Sequence, residues 1–213
     1  MDGVQRAARA DAYENPRPEV GALVPAGARR VLDLGCASGA LGAALKARGV
    51  AEVVGVERDP DYAADAAERL DRVEVADVEE LARRASELGT FDVVIAADVL
   101  EHLVDPWSAL RAYADRLEPG GHAVVSLPNV RNWETFWELG RHGRWPTRSQ
   151  GIFDRTHLRW FTLRDAWDLV EQAGLEIVHV HRQPRPGRPA WPLRIPGARG
   201  LLTFQHVIVA RRR

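Results

Sequence analysis

The stretch RRVLDLGCASGALG, residues 29 to 42, decides how the chain is read. Its first half, RRVLDL, has the apolar, branched character of a buried strand, and LeuGly-Ala-Ala-Leu spacing from Leu41 onward suits a helix. Between them Asp33-Leu-Gly-Cys-Ala-Ser-Gly39 forms a glycine-bearing strand-to-helix turn. Glycines there allow close backbone approach to a ligand, and the helix N-terminus offers unpaired N–H groups. A tight turn with no ligand would use the same residues, so the motif needs support from its surroundings.

Outward from this turn, strand and helix patterns alternate. Arg29 to Leu34, Glu52 to Glu57, Arg72 to Ala76, Phe91 to Ala97 and His122 to Leu127 read as five strands. Helical periods cover Leu41 to Arg48, Pro60 to Leu70, Val78 to Leu88 and Pro106 to Leu117, and Pro119-Gly120-Gly121 reads as a turn. Such alternation predicts right-handed crossovers and a parallel sheet covered on both faces. Further on, Asn132 to Arg141 is a Trp-rich helical candidate. Thr162 to Ala173 is a helix with Thr162 as N-cap and Gly174 past its end. Leu175 to His181 and Thr203 to Ala210 read as late strands, separated by a Pro/Gly/Arg-rich stretch. Strands joined without a helical crossover pair antiparallel or lie apart. The expectation is a single α/β domain over residues 1–213: a Rossmann-like, doubly wound, seven-stranded sheet, mainly parallel with an antiparallel C-terminal strand. Within it, 1–28 would form an N-terminal lid, 29–128 a cofactor-binding core, 129–161 a substrate-side insertion and 162–213 the closing helix and strands.

Composition narrows the function classes. Of 213 residues, 46% are hydrophobic and 28% charged, which is ordinary for a folded domain. A formal charge of −1 argues against a general nucleic-acid binder, which would carry a basic stripe. The only basic run, Arg211 to Arg213, reads as a solvated tail. Cys36 is the sole cysteine, no apolar run approaches a membrane span, and the first residues lack a signal-peptide core. A cytoplasmic location is the expectation.

An open parallel sheet binds its ligand at the carboxyl ends of its strands, where the strand order reverses. Glu57 closes the second strand 22 residues after Gly35, about the separation at which an acid bonds ribose hydroxyls in nucleotide-binding sheets. The same arrangement suits NAD. For NAD, however, the loop should read G-x-G-x-x-G, and here Gly35, Ala37 and Ala40 occupy those places.

Taken in order, DLGCASGALG, VVGVERDP, VEVADVEEL, FDVVIAADVLEHLVDP and LEPGGHAVVSLPN resemble the successive motifs of the class I S-adenosylmethionine-dependent methyltransferases, over residues 31 to about 181. With YENPRPEV (13 to 20) and GIFDRTHLRWFT (151 to 162), the pattern is similar to modules found beside or fused to bacterial glycosyltransferases. The resemblance implies that Asp33, Gly35, Ala37 and Gly39 surround the methionine part of S-adenosylmethionine, that Glu57 holds the ribose, that Asp77 and Val78 meet the adenine, and that Asp98 lies near the methionine end or the acceptor. Ala37 departs from the commoner glycine. Tyr13 and Arg17 would belong to a lid over the cofactor or to a surface strap across the sheet.

Methyl transfer to a hydroxyl needs alignment and a base near neutral pH. His157 is the first candidate base, beside the alternative that its ring is hydrogen-bonded in a packed corner. His102 reads as structural or cofactor-side, with Asp98 and Asn129 as further catalytic candidates. His142 sits in a loop-like segment. Residues 151 to 161 occupy the family's usual region for substrate-specific insertions, so Asp154, Arg155 and Arg159 are expected to face the acceptor with Asn129 and Trp133. Ile152, Phe153, Leu158, Trp160 and Phe161 would anchor the segment in the core, and Asp154 would orient His157. There is no Cys/His cluster, and the acids after the fourth strand lack an evident ligand spacing, so a metal-free reaction is expected. The reading is O-methylation of a sugar, glycan or glycosylated metabolite. N- or C-methylation of an amino sugar, quinone or natural product, an NAD-dependent oxidoreductase, and a silent cofactor-binding module remain as alternatives.

Overall fold

The computed structural model describes residues 14–195 and 197–213; Tyr13 lies outside them. Seven strands form one sheet: β1 (Arg30–Leu34), β2 (Glu52–Glu57), β3 (Arg72–Val75), β4 (Phe91–Ala97), β5 (Leu117–Pro128), β6 (Leu175–Gln183) and β7 (Gln205–Arg212), in the order β3-β2-β1-β4-β5-β7-β6. The first five pair in parallel, and β7 is inserted antiparallel between β5 and β6. The expected doubly wound, mainly parallel sheet with a reversed C-terminal strand is therefore the architecture observed. Strand order reverses between β1 and β4, which opens a crevice at their carboxyl ends.

Apart from the single turns Pro18–Gly21 and Arg199–Leu202, the described helices are α1 (Ala40–Ala47), α2 (Pro60–Ala67), α3 (Val78–Ala82), α4 (Pro106–Ala114), α5 (Trp133–His142) and α6 (Leu163–Gln172). Their starts are written locally. Asp59 caps α2 ahead of Pro60, Asp77 caps α3, and Asp105 caps α4 ahead of Pro106. Thr162 and Asp165 close a reciprocal capping box on α6. Each aspartate or threonine satisfies amides that the first turn leaves without partners. Two apolar clusters flank the sheet. One joins Leu32, Val54, Val94 and Val125 to α4 and α6; the other joins Val31, Val53, Val93 and Val124 to α1. Neighbouring strand residues thus point into opposite layers, as a sheet covered on both faces requires.

Several elements differ from their sequence-based reading. The helix expected over 78–88 ends at Ala82 and resumes as a 3₁₀ turn, Ala85–Leu88, because Arg84 leaves helical geometry while Ala85 and Leu88 are drawn into the core. Helix α2 stops at Ala67, short of Leu70. Pro119-Gly120-Gly121 is a bulge inside β5, between the pairs Phe91–Leu117 and Val93–His122. The last strand runs two residues further than expected, and Arg211 and Arg212 lie in it rather than in a solvated tail. The Arg212 guanidinium donates to the Asp115 carbonyl at 2.9 Å, and Arg211 pairs with Glu176 at 3.2 Å. Among the described residues no helix is long and apolar enough to cross a membrane.

Candidate active site

At the strand-order reversal the chain encloses a cavity of about 490 Å³. Its walls come from the turns after β1, β2, β3 and β4 and from the segment 149–158. On the β1 side the backbone makes the surface. Gly35, Ala37 and Gly39 all have positive φ, at 66°, 48° and 79°. Ala37 holds a left-handed conformation that favours glycine, and its amide donates to Glu57 Oε2 at 3.0 Å. Glu57 Oε1 accepts from the Asp59 amide at 2.9 Å. The β2 carboxylate thereby ties its own turn to the β1 turn while lining the cavity. Burial raises its pKa, against the amides that favour the charged form. A Cβ on Gly35 would meet Val99 Cγ2 at 2.6 Å, so the turns after β1 and β4 approach each other only because residue 35 is glycine.

Asp33 lies beneath this loop, 2% exposed, and its Oδ2 has no hydrogen-bond partner. Burial pushes its carboxyl up to about 7, with Arg17 opposing and Glu57 adding to the shift. Asp77 and Val78 line the cavity beyond β3, where the Asp77 carboxylate also accepts from the Glu79 amide at 2.8 Å.

The β4 side carries a polar network. Asp98 has φ 59° and accepts from Arg17 Nη1 at 2.6 Å, from the Ser126 hydroxyl at 3.3 Å and from Gln205 Nε2. Gln205 Nε2 also donates to Ser126 Oγ at 2.7 Å. Burial works against the charge of Arg17, yet Asp98 and Glu19 together hold its guanidinium above the ordinary range. Arg17, expected as lid or strap, is thus a wall of the cavity.

Beyond Asp98, the single turn Leu100–His102 presents Glu101 and His102 to the segment 151–162. The Glu101 carbonyl accepts from the amides of Leu158 at 2.8 Å and Arg159 at 3.0 Å, which pins the segment across the carboxyl edge of the sheet. His157 Nδ1 lies 3.2 Å from the Ile152 carbonyl. A carbonyl only accepts, so Nδ1 carries the proton, and the lone pair of the neutral ring is on Nε2. Nε2 is 3.9 Å from Glu101 Oε1. Thr156 Oγ1 donates to Asp154 at 2.6 Å and lies 3.1 Å from His102 Nδ1, whose proton is fixed by the same reasoning. The two rings meet edge to face with centroids 4.7 Å apart. Burial, and then His102, lower the pKa of His157, while burial and Asp98 raise that of Glu101.

The cavity therefore brings together Gly35, Ala37, Glu57, Asp77, Val78, Asp98, His102, Asp154 and His157. Gly39 packs against Ala66 and Leu70 at the start of α1. Asn129 is buried elsewhere, its amide donating to the carbonyls of Gly200 and Thr203, both at 2.8 Å. Trp133 points outward from α5, Arg155 is exposed, and Arg159 reaches the Val104 carbonyl; none of the three lines the cavity. The ring nitrogen of His157 is oriented by a main-chain carbonyl, while Asp154 accepts from both the amide and the hydroxyl of Thr156. Of the expected anchors, Ile152, Phe153 and Phe161 are buried, but Leu158 and Trp160 are each 44% exposed. Along 158–161 the exposed Leu158 and Trp160 alternate with the half-buried Arg159 and buried Phe161. Trp160 instead stacks edge to face on Trp145, at 5.4 Å. His142 pairs with Glu138 on α5, away from the cavity.

Sequence reasoning passed over Glu101, Ser126 and Gln205. Glu101 has a readable signal, a carboxylate beside His102 and one turn beyond Asp98. Gln205 has none, since it comes from β7, 107 residues along the chain from Asp98.

The chain is 36% identical over 115 residues to a ubiquinone biosynthesis O-methyltransferase of Marinobacter nauticus, covering 51% of this chain and 47% of that protein. It is 35% identical over 167 residues to the protein of the same name from Ruegeria pomeroyi, covering 75% and 65%. The chain spans about half the length of most of the curated relatives it matches. In fold it is similar to a SAM-dependent methyltransferase from Archaeoglobus fulgidus, with a TM-score of 0.70, 17% identity, and 96% and 98% of the two chains covered. The family model described as methyltransferase domain matches residues 2–180, and the chain belongs to that family.

Proposed function

We propose that this protein is an S-adenosylmethionine-dependent methyltransferase that methylates a hydroxyl of a small acceptor. The observation that carries this reading is one cavity with two chemically distinct ends. At one end a glycine-bearing turn with positive-φ backbone is tied to a carboxylate, Glu57, and lies over Asp33 with its orphaned buried oxygen. That donor set fits a ligand combining a ribose diol with cationic groups. At the other end Glu101, His102 and His157 converge. When bound, S-adenosylmethionine supplies an electrophilic methyl group on sulfur.

The chain's own work is placement. Glu57 accepts from the ribose hydroxyls, and Asp77 and Val78 border the adenine. The Arg17–Asp98–Gln205 network fixes the wall between the two ends, so that the acceptor is held in line with the methyl group. The acceptor's proton leaves on the side of His157 and Glu101. Oxygen as the methylated atom draws support from relatives that are themselves named O-methyltransferases. The same names favour a hydroxylated aromatic acceptor over the sugar or glycan expected from the sequence, and association with a glycosyltransferase has no support from them.

A thermal-shift series tests the cofactor reading: S-adenosylhomocysteine should raise the melting temperature, by about 2.7 kcal/mol of stabilisation at 100-fold excess over Kd, while NAD should not. Stabilisation by NAD alone would put the dinucleotide reading in its place. Turnover of a catechol or other hydroxylated acceptor with radiolabelled donor then separates an enzyme from a silent module.

A further inference from the structure

We propose that Glu101, His102 and His157 form a binding site for one divalent first-row transition-metal ion at the acceptor end of the cavity. This deepens the methyltransferase reading and rests on it for its role, although the site itself can be tested without it. The sequence expectation of a metal-free reaction rested on ligand spacing along the chain, and the fold removes that ground. Glu101 and His102 are neighbours on one turn, whereas His157 arrives from a segment 55 residues later. One ligand-capable atom from each residue lies within 4.8 Å of the others.

Three features favour a site over a packed corner. First, Glu101 is 1% exposed, and its Oε2 has no hydrogen-bond partner. A buried carboxylate atom without a partner is expensive and rare in folded proteins, and a bound ion is one of the species that satisfies it. Second, both histidines have their tautomers set from behind. Main-chain Ile152 O and the Thr156 hydroxyl take the Nδ1 protons, so each neutral ring carries its lone pair on Nε2. Such outer hydrogen bonds accompany nearly all metal-ligating histidines, and they orient the ring and raise its basicity. Third, the separation fits. Ligand bonds of about 2.0–2.2 Å place two donors at most roughly 4.3 Å apart. Glu101 Oε1 and His157 Nε2, at 3.9 Å, already meet that limit, and the widest pair needs an inward shift of about half an ångström.

Two imidazoles and one carboxylate suit zinc, manganese or cobalt better than calcium or magnesium, which favour oxygen-only sets. Three protein ligands leave coordination positions open, and all three residues line the cavity. An ion there would attract the acceptor's oxygen and lower the pKa of its hydroxyl. The Glu101–His102–His157 trio would then act by holding the ion rather than by one histidine removing the proton unaided.

The probe is Co²⁺, added to the full chain after treatment with a chelator. Visible absorption and calorimetry should report one equivalent bound, with a melting temperature that rises on binding. Glu101→Gln and His157→Gln, checked for native circular dichroism, should each weaken uptake at least tenfold. Should either variant fail to fold, electron spin-echo spectra of the wild-type protein loaded with Mn²⁺ should still show coupling to histidine nitrogen. Folded wild-type protein that takes up no equivalent of either ion, or variants that bind as well as wild type, would overturn the proposal. S-adenosylhomocysteine titrated into the same samples separates the two readings. Metal uptake without its binding removes the methyltransferase assignment and keeps the site; its binding without metal uptake removes the site.

Discussion

Glu57 ties two turns together and also lines the cavity. Its two oxygens each accept a main-chain amide, from Ala37 and Asp59, and so hold the turns after β1 and β2 in register while leaving lone pairs toward the cavity. Bonds to a charged acceptor are worth about 1.5–3 kcal/mol each. Glu57→Ala should therefore weaken S-adenosylhomocysteine binding by about tenfold or more, with a lower melting temperature from the two amides left unpaired; unchanged affinity by calorimetry would remove Glu57 from the cofactor site. Asp33 predicts a pH effect. Its folded pKa of about 7 lies above the ordinary 3.8, because burial favours the neutral acid. The contribution of that neutral form to stability is complete below pH 3.8 and is lost as pH rises toward 7. Asp33→Asn, which keeps a neutral side chain at every pH, should match the ligand-free wild type near pH 4 and exceed it in melting temperature increasingly toward pH 7. A gap that does not change with pH would contradict the burial argument.

At the scale of elements, helix starts are the most local feature of this fold. Helix α6 is set by Thr162 and Asp165, each accepting the other's main-chain amide, at 3.3 and 2.9 Å. Thr162→Ala should cost about 1 kcal/mol in urea denaturation, with cofactor affinity unchanged, because α6 packs on β6 and α4 rather than on the cavity. Helix α5 follows a different rule. It buries Thr135 and Glu138, and its acids meet Arg148, Arg185 and His142, while Trp133, Phe136 and Trp137 face outward. The sequence marks that element as a Trp-rich helical candidate at 132–141, one residue ahead of the helix observed. That composition could not say which face turns inward, because pairing with arginines from later loops reverses the usual preference.

For the whole molecule, the decisive element is β7. The last strand returns between β5 and β6, completes the sheet and delivers Gln205 to Asp98. A sheet closed in this way should unfold as one unit. All seven tryptophans lie at or beyond residue 107, so their fluorescence reports the second half of the chain, whereas far-ultraviolet circular dichroism reports all of it. The two urea transitions should superimpose. Separate midpoints would divide the chain into two cooperative parts.

What the sequence determined by itself is whatever acts over a few residues. Runs of branched apolar residues gave the strands, helical periods and the Thr162 cap gave the helix starts, and the turn after β1 with Glu57 after β2 marked two walls of the cavity. Each of these is a short-range preference of backbone and side chain, readable before any contact across the fold is known. Tertiary structure alone decided which groups meet. Asn129, next to β5, is drawn into carbonyls of the C-terminal turn, while Glu101, never singled out, is carried inward beside His157. Trp160 faces outward although it is flanked by buried Phe161. The physical reason is that this wall of the cavity is made where Leu100–His102, the segment 149–158 and the start of β7 converge, and no local pattern records how far apart in the chain such partners will be.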